Sequence, residues 1–316
     1  MTRKPHAIYL NGEEITPGMI TPGAKEQPKD TWLFPDVALK SEAPAQTKDR
    51  NGSRKIAFGW YGGKFNHLGW LLPLLPKCHH YVEPFSGSAA VLLNREPSPI
   101  ETYNDIDGEV VNFFRVLRDQ KNQLVEAIGL TPFSREEFYH AITVDPQAVS
   151  PLERARCFFV RARQVRTGLA QRASLGRWAN CRNTSRAGMS GSISRWLGSI
   201  TDLPEIAERL LRVQIENRPA AEIVRLYDGN DTLLYCDPPY PHESRSDTKA
   251  YGFEMSDAEH RGLAKLLLSV KAKVAVSGYR CELMDSAYAG WKVYEAPVKK
   301  CHSSKAPRVE ALWVNF

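Results

Sequence analysis

The residues best suited to chemistry in this sequence are Asp237-Pro238-Pro239-Tyr240, which follow the apolar run Leu233–Cys236. Two consecutive prolines continue neither a strand nor a helix, so they fix the backbone where a strand ends. The Asp237 carboxylate and the Pro238 carbonyl can then converge on one small polar target. An exocyclic amine suits them, because it offers two N–H donors to two acceptors. Held in this way, its lone pair is drawn out of conjugation and can attack an electrophilic methyl group. Tyr240 adds a ring on which a purine can stack. Taken alone, the tetrapeptide is also readable as a structural turn.

Three other groups could serve a ligand. Glu83-Pro84-Phe85-Ser86-Gly87-Ser88 is a small-residue loop that opens a helix and lets a ligand approach the backbone. Asp105 stands at a strand end, where an acid accepts ribose hydroxyls in nucleotide-binding sheets. Asp107 competes for that role, and a helix N-cap is the structural alternative for Asp105. Trp60-Tyr61-Gly62-Gly63-Lys64 could bring a cation and main-chain amides to a carboxylate, or could be a turn with a surface lysine. No nucleophile–histidine pairing and no dinucleotide fingerprint accompanies these groups, which argues against a hydrolase or a dehydrogenase.

The elements that must position these residues alternate. Strands are expected at His80–Phe85, Ile100–Asn104, Arg212–Glu216, Thr232–Cys236 and Lys273–Ser277, with a closing hairpin of Trp291–Val298 and Val309–Phe316. Helices are expected at Ala89–Asn94, Glu109–Arg118, Ala220–Tyr227 and Ser256–Val270, the last opened by a capping box of Ser256 and Glu259. Such alternation implies an α/β, doubly wound, mostly parallel sheet, with ligands beyond the C-terminal strand ends. The loops after Phe85 and Cys236 both fall at such ends. Residues 1–53, rich in Pro, Gly, Lys and Thr, are expected as a flexible N-terminal extension. Residues 54–119 and 212–316 form the expected catalytic domain, and 120–211 a mainly helical insert, with helices at Ser134–Ile142 and Ser150–Val165.

Bulk properties narrow the class. The chain has 316 residues, 42% of them hydrophobic, and no apolar stretch near the roughly 20 residues of a membrane span. A cytoplasmic protein with no membrane contact is the expectation. The six cysteines are scattered without a C-x-x-C pair, which argues against a structural zinc site; no metal is expected. Charge is distributed unevenly. Ten arginines and no Lys, Asp or Glu lie between Arg154 and Ile200, so this segment carries +10 while the chain totals +6. Such an excess repels itself unless an anionic partner relieves it, and forked arginine contacts suit phosphate and guanine edges. Within it, the Gly/Ser/Arg-rich stretch 167–198, with Trp178 and Trp196, is the expected nucleic-acid surface. Arg172, Arg177, Arg182, Arg186 and Arg195 are the candidate DNA-binding residues.

The order of Trp60–Lys64, Tyr81–Ala90, Tyr103–Asp107, Leu234–Tyr240 and Arg308–Phe316 closely resembles the Dam-like, class D12 family of DNA adenine-N6 methyltransferases, in the alpha-type arrangement and with the look of phage and prophage members. The resemblance covers about residues 56–316. It implies a class I S-adenosylmethionine-dependent fold with a target-recognition domain at 120–211. It implies S-adenosylmethionine contacts from Trp60, Lys64, Glu83, Phe85, Ser86, Gly87, Ser88, Asp105 and Asp237, and catalysis by Asp237, Pro238 and Tyr240 on an adenine flipped out of double-stranded DNA. A monomer or weak dimer is expected, and pairing with a restriction endonuclease is allowed. The insert departs from the recognition domain of the enteric members, so no recognition sequence carries over. A regulator of the same fold without turnover, or a methyltransferase for cytosine N4 or RNA adenine, is the alternative.

Overall fold

Apolar runs such as Leu233–Cys236 and Val274–Val276 become interior strands, because strands covered on both faces leave little solvent side for polar residues. The computed structural model describes Tyr9–Leu10, Glu13–Glu14 and residues 54–316, except 167–168, 171–172, 184, 187, 245–251 and 298–308. Seven strands form one sheet: β1 (His80–Glu83), β2 (Ile100–Asn104), β3 (Val213–Glu216), β4 (Thr232–Cys236), β5 (Lys273–Tyr279), β6 (Lys292–Glu295) and β7 (Glu310–Val314). Their spatial order is 6-7-5-4-1-2-3. β1 pairs in parallel with both β2 and β4, β2 with β3, and β4 with β5. The chain winds one way from β1 through β2 to β3 and then crosses to β4, so the switch point lies between β1 and β4. That is where a doubly wound sheet opens its ligand crevice.

The closing pair differs from a simple appended hairpin. β6 and β7 are antiparallel neighbours, as their sequence suggests, but β7 also runs antiparallel to β5 and lies between the two. This buries β7 throughout, Trp313 included, and brings Glu310 opposite Tyr279.

Helix ends follow their sequence signals. Ser256 caps α10 (Asp257–Leu267) in a complete capping box with Glu259. Ser134 caps α5 (Arg135–Thr143) and Ser150 caps α6 (Pro151–Gln164), each accepting from the backbone three residues on. Asp107 caps α3 (Gly108–Asp119). Three helices in the insert lie beyond the sequence expectation: α4 (Lys121–Gly129), α7 (Gly191–Thr201) and α8 (Leu203–Leu210), the last with apolar Leu203, Ile206, Ala207 and Leu210 on one face. The end of the Gly/Ser/Arg-rich stretch is therefore helix rather than loop.

The helices of 120–211 share one core with the sheet. Phe113 and Phe114 of α3, Phe158 and Phe159 of α6 and Trp196 of α7 form, together with Phe58 ahead of β1, a contiguous aromatic cluster, with Phe113 stacked on Phe159 at 5.7 Å and 8°. By packing, the chain divides into Met1–Asp49 and Arg50–Phe316. In the first unit, Tyr9–Leu10 pairs antiparallel with Glu13–Glu14; the rest of the expected extension lies outside the described residues. Among the described residues no helix is long and apolar enough to cross a membrane.

Candidate active site

The loop after β1 is locked to the end of β2. Ser86 N–H donates to the Asn104 carbonyl at 2.9 Å, Tyr103 Oη donates to the Gly87 carbonyl at 2.9 Å, and Gly87 N–H donates to Asp105 Oδ2 at 2.8 Å. Gly87 has φ +49°, and a Cβ there would lie 2.4 to 2.9 Å from the Trp60 indole, so only glycine lets the loop lie against that ring. Ala89, at the mouth of α2 (Ala90–Asn94), is left-handed with φ 56°, a conformation an alanine holds only when its surroundings impose it.

Beside this loop opens a cleft with about 760 Å³ of non-protein space, part of it open solvent. Trp60, Lys64, Glu83, Phe85, Ser86, Gly87, Ser88, Asp105 and Asp237 all line it, so residues spread over 178 positions of sequence meet in one wall. Asp107 lines it too, but its carboxylate caps α3, which gives the cap to Asp107 and leaves Asp105 on the cleft. Ile106 and Phe253 also line it, and both are exposed. Sequence reasoning missed both, since one exposed apolar residue in a loop carries no signal of its own.

Lys64 departs from its expected surroundings. It is 3% exposed and its ammonium reaches Asp237 Oδ1 at 2.6 Å and Oδ2 at 2.7 Å, the Gly62 carbonyl at 2.7 Å and Glu310 Oε1 at 3.5 Å. Burial works to lower its pKa, but Asp237 and Glu310 together raise it, so it stays charged. Tyr240 does not line the cleft. Its ring is buried, edge-on to Tyr279 at 4.8 Å and 4.9 Å from the Lys64 ammonium, and its hydroxyl donates to Glu310. Pro238 is buried behind Asp237, and Pro239 lines the cleft.

The cleft is short of positive charge. Four carboxylates (Glu83, Asp105, Asp107, Asp237) line it against one ammonium. Burial pushes Glu83 up to about 8, Asp105 to about 6 and Asp237 to about 6, the last also raised by Glu310 and held down by Lys64. A cationic ligand is what such a wall accommodates.

The family model of the D12 class N6 adenine-specific DNA methyltransferases matches residues 60–301. The chain belongs to that family. It is similar to a DNA adenine methylase of Salmonella typhi, 24% identical over 257 residues that cover 78% of this chain and 88% of that protein. The Type II methyltransferase M1.LlaDCHI of Lactococcus lactis subsp. cremoris is 25% identical over 270 residues, covering 78% and 89%. A DNA adenine methylase of Escherichia coli (strain K12) is 23% identical over 257 residues, covering 78% and 88%.

In this D12 methyltransferase the arginines of the insert split into two populations. Arg154 and Arg161 both bind Glu109, Arg156 binds Glu137 and Glu153, and Arg163 donates to the Ile56 carbonyl. The helical arginines thus find counter-charges outside their own segment, which corrects the sequence picture of an uncompensated +10. Arg166, Arg177, Arg182, Arg186 and Arg195 are exposed and form no ion pair among the described residues; Arg172 lies outside them. Arg186 belongs to a short antiparallel pair, Ser185–Arg186 with Met189–Ser190, ahead of α7. The tryptophans do not join this surface. Trp196 is in the core, and Trp178 packs on Phe133 with its indole N–H on Gln164 Oε1 at 3.3 Å. His140, Glu153 and Cys157 have ligand atoms within 4.8 Å of one another, but Arg156 already occupies the Glu153 carboxylate.

Proposed function

We propose that the cleft binds S-adenosylmethionine and that Asp237-Pro238-Pro239-Tyr240 presents the N6 amine of an adenine to it. The observation that carries this reading is the acid-rich wall built by the Trp60–Lys64 turn, the Glu83–Ser88 loop, Asp105 and Asp237 at the sheet's switch point. When bound, the cofactor supplies an electrophilic methyl group. Asp105 accepts from ribose hydroxyls. The Ser86-Gly87-Ser88 loop, held rigidly to β2, gives close backbone approach.

Asp237 keeps free lone pairs on both carboxylate oxygens even with Lys64 on them, so it can still accept one amine N–H while the Pro238 carbonyl accepts the other. Held in this way, the amine would present its lone pair to the methyl group that the cofactor supplies, and the N–H proton it gives up would pass to solvent. No residue becomes covalently attached. Positioning two bound reactants in this way is worth several kcal/mol of barrier, on the order of 7 or more where alignment is good. The adenine reaches the cleft by leaving the duplex stack. Tyr240, buried as it stands, would stack on it only with a rearrangement of its edge. Residues 120–211 supply target recognition, with Arg177, Arg182, Arg186 and Arg195 on DNA, and Arg172 beside them in sequence. The protein acts as a monomer or weak dimer in the cytoplasm.

Expression in a methylation-free host, with mapping of modified adenines and analysis of product nucleosides, tests the reading. N6-methyladenine at one short motif is expected, and it should vanish in Asp237→Ala without loss of folding. Because the carboxylate form must accept the amine, turnover should fall as pH drops through about 6. N4-methylcytosine, or an Asp237→Ala variant within about tenfold of wild type, overturns it.

A further inference from the structure

Resting on the reading of the cleft as a methyl-transfer site, we infer that Glu310 is a positioning residue of the reaction: it shares Lys64 and Tyr240 with Asp237 and keeps the Asp237 carboxylate available to the substrate amine.

Glu310 is the first residue of β7, 5% exposed, in a strand otherwise apolar. A carboxylate placed there is costly unless it is partnered. Its Oε1 accepts from the Tyr240 hydroxyl and lies 3.5 Å from the Lys64 ammonium. It thereby ties together the Trp60–Lys64 turn, the tetrapeptide after β4 and the closing strand, three pieces far apart in the chain. Tyr279, opposite Glu310 in the β5–β7 register, packs edge-on to Tyr240 and completes the wall.

The charge count gives the reason. Lys64 with Asp237 alone is a neutral pair, its ammonium lying on both carboxylate oxygens. Lys64 with Asp237 and Glu310 carries a net −1. In a desolvated site that extra negative charge strengthens Asp237 as an acceptor and opposes the positive charge that develops on the amine during transfer. The hydrogen bond to Tyr240 fixes the residue that follows the two prolines, and with it the direction in which Asp237 and Pro238 point. Glu310 touches neither reactant directly; it acts through Lys64, Asp237 and Tyr240.

The test compares wild type, Glu310→Gln and Glu310→Asp in single-turnover and steady-state methylation of duplex DNA, with thermal melting as a check on folding. Asp237→Asn serves as the control for the underlying reading. If wild type is inactive, or Asp237→Asn retains its activity, the methyl-transfer reading fails and Glu310 falls with it. If both behave as expected, Glu310 is tested separately. Glu310→Gln should lower kcat by about 10- to 100-fold, less than the roughly 100- to 1,000-fold of losing a direct transition-state contact, with KM for cofactor and DNA within about twofold. Its acidic limb of kcat should move to lower pH, since Asp237 loses a negative neighbour. The other titratable or charged groups facing Asp237 among the described residues are Lys64, Tyr240, Tyr235 and Cys236 of β4, and Glu83 of β1. All of these remain in the variant. Glu310→Asp keeps the charge and shortens the reach, so its pH limb should stay at the wild-type position while kcat falls less than in Glu310→Gln. An unchanged kcat in Glu310→Gln, or a lower kcat with an unmoved pH limb, overturns the inference. If Glu310→Gln does not fold, a wild-type kcat in Glu310→Asp overturns it instead.

Discussion

Glu83→Gln should stabilise the protein at neutral pH by about 3 kcal/mol, a gain that grows with pH. Glu83 ends β1 with its side chain sealed against solvent, and burial pushes its carboxyl from an ordinary 4.5 up to about 8. The Tyr81 hydroxyl at 2.7 Å and Arg95 favour ionisation, and burial outweighs them. A carboxyl whose folded pKa is raised gives its full stabilising share below the unfolded value. It loses that share as pH climbs through the folded one. Each pH unit in that window is worth about 1.4 kcal/mol. Between 4.5 and 7 the loss is thus about 3 kcal/mol, whereas at pH 5 it is about 1 kcal/mol. Glutamine has the same shape, cannot ionise, and still offers Tyr81 an acceptor. Urea unfolding of the two full-length proteins at pH 5, 7 and 8.5 measures the gap. A gap that is flat with pH, or that shrinks as pH rises, would refute a buried, high-pKa Glu83. The same carboxyl should make wild-type affinity for S-adenosylmethionine rise from pH 6 to 9, since a cation favours its ionised form, and the glutamine variant should lose that dependence.

Gly87→Ala should weaken cofactor binding by at least about tenfold in a calorimetric titration, because the new methyl group runs into the Trp60 indole and the positive φ is strained; unchanged affinity would mean the loop does not shape the pocket. Neutralising Arg177, Arg182 and Arg186 together should lower DNA affinity and flatten its salt dependence by roughly 2 to 3 units of log–log slope, with cofactor binding untouched. Parallel lines of equal affinity for wild type and variant would move DNA recognition elsewhere.

Local signals carried much of the fold. β2 and β4 match their expected bounds, β4 as an apolar run stopped by two prolines, and α10 starts where Ser256 and Glu259 cap it. α7 escaped notice because Gly-Ser-Ile-Ser-Arg-Trp has poor intrinsic helix propensity; burial of Trp196 and the Ser190 cap hold it instead. The place of β7 between β5 and β6 is a property of the assembled sheet, to which a local pattern is blind. The cleft was legible because its residues cluster at strand ends. The partner of Lys64 was not, since Asp237 lies 173 residues away. A signal for Glu310 did exist: one acid heading the apolar run Ala311–Val314 needs a partner if that run is buried.

The two charged regions complement each other in what they admit. The cleft presents the carboxylates of Asp105, Asp107 and Asp237 and one ammonium, with Glu310 just behind and Glu83 mostly protonated at neutral pH, so a phosphodiester brought against it meets repulsion in a partly desolvated setting, where charges interact most strongly. An uncharged base meets none, and a cationic methyl donor is drawn in. The exposed arginines of the insert carry the opposite charge, and the nearby acids Glu109, Glu137 and Glu153 are paired with the arginines of α6. Ion pairing of the α6 arginines fastens α6 to α3 and α5, while Arg177, Arg182, Arg186 and Arg195 form no ion pair among the described residues. A nucleic acid that satisfies both regions must keep its backbone on the arginines and send only a base toward Asp237. On the function proposed above, that is what extrusion of the target adenine would achieve.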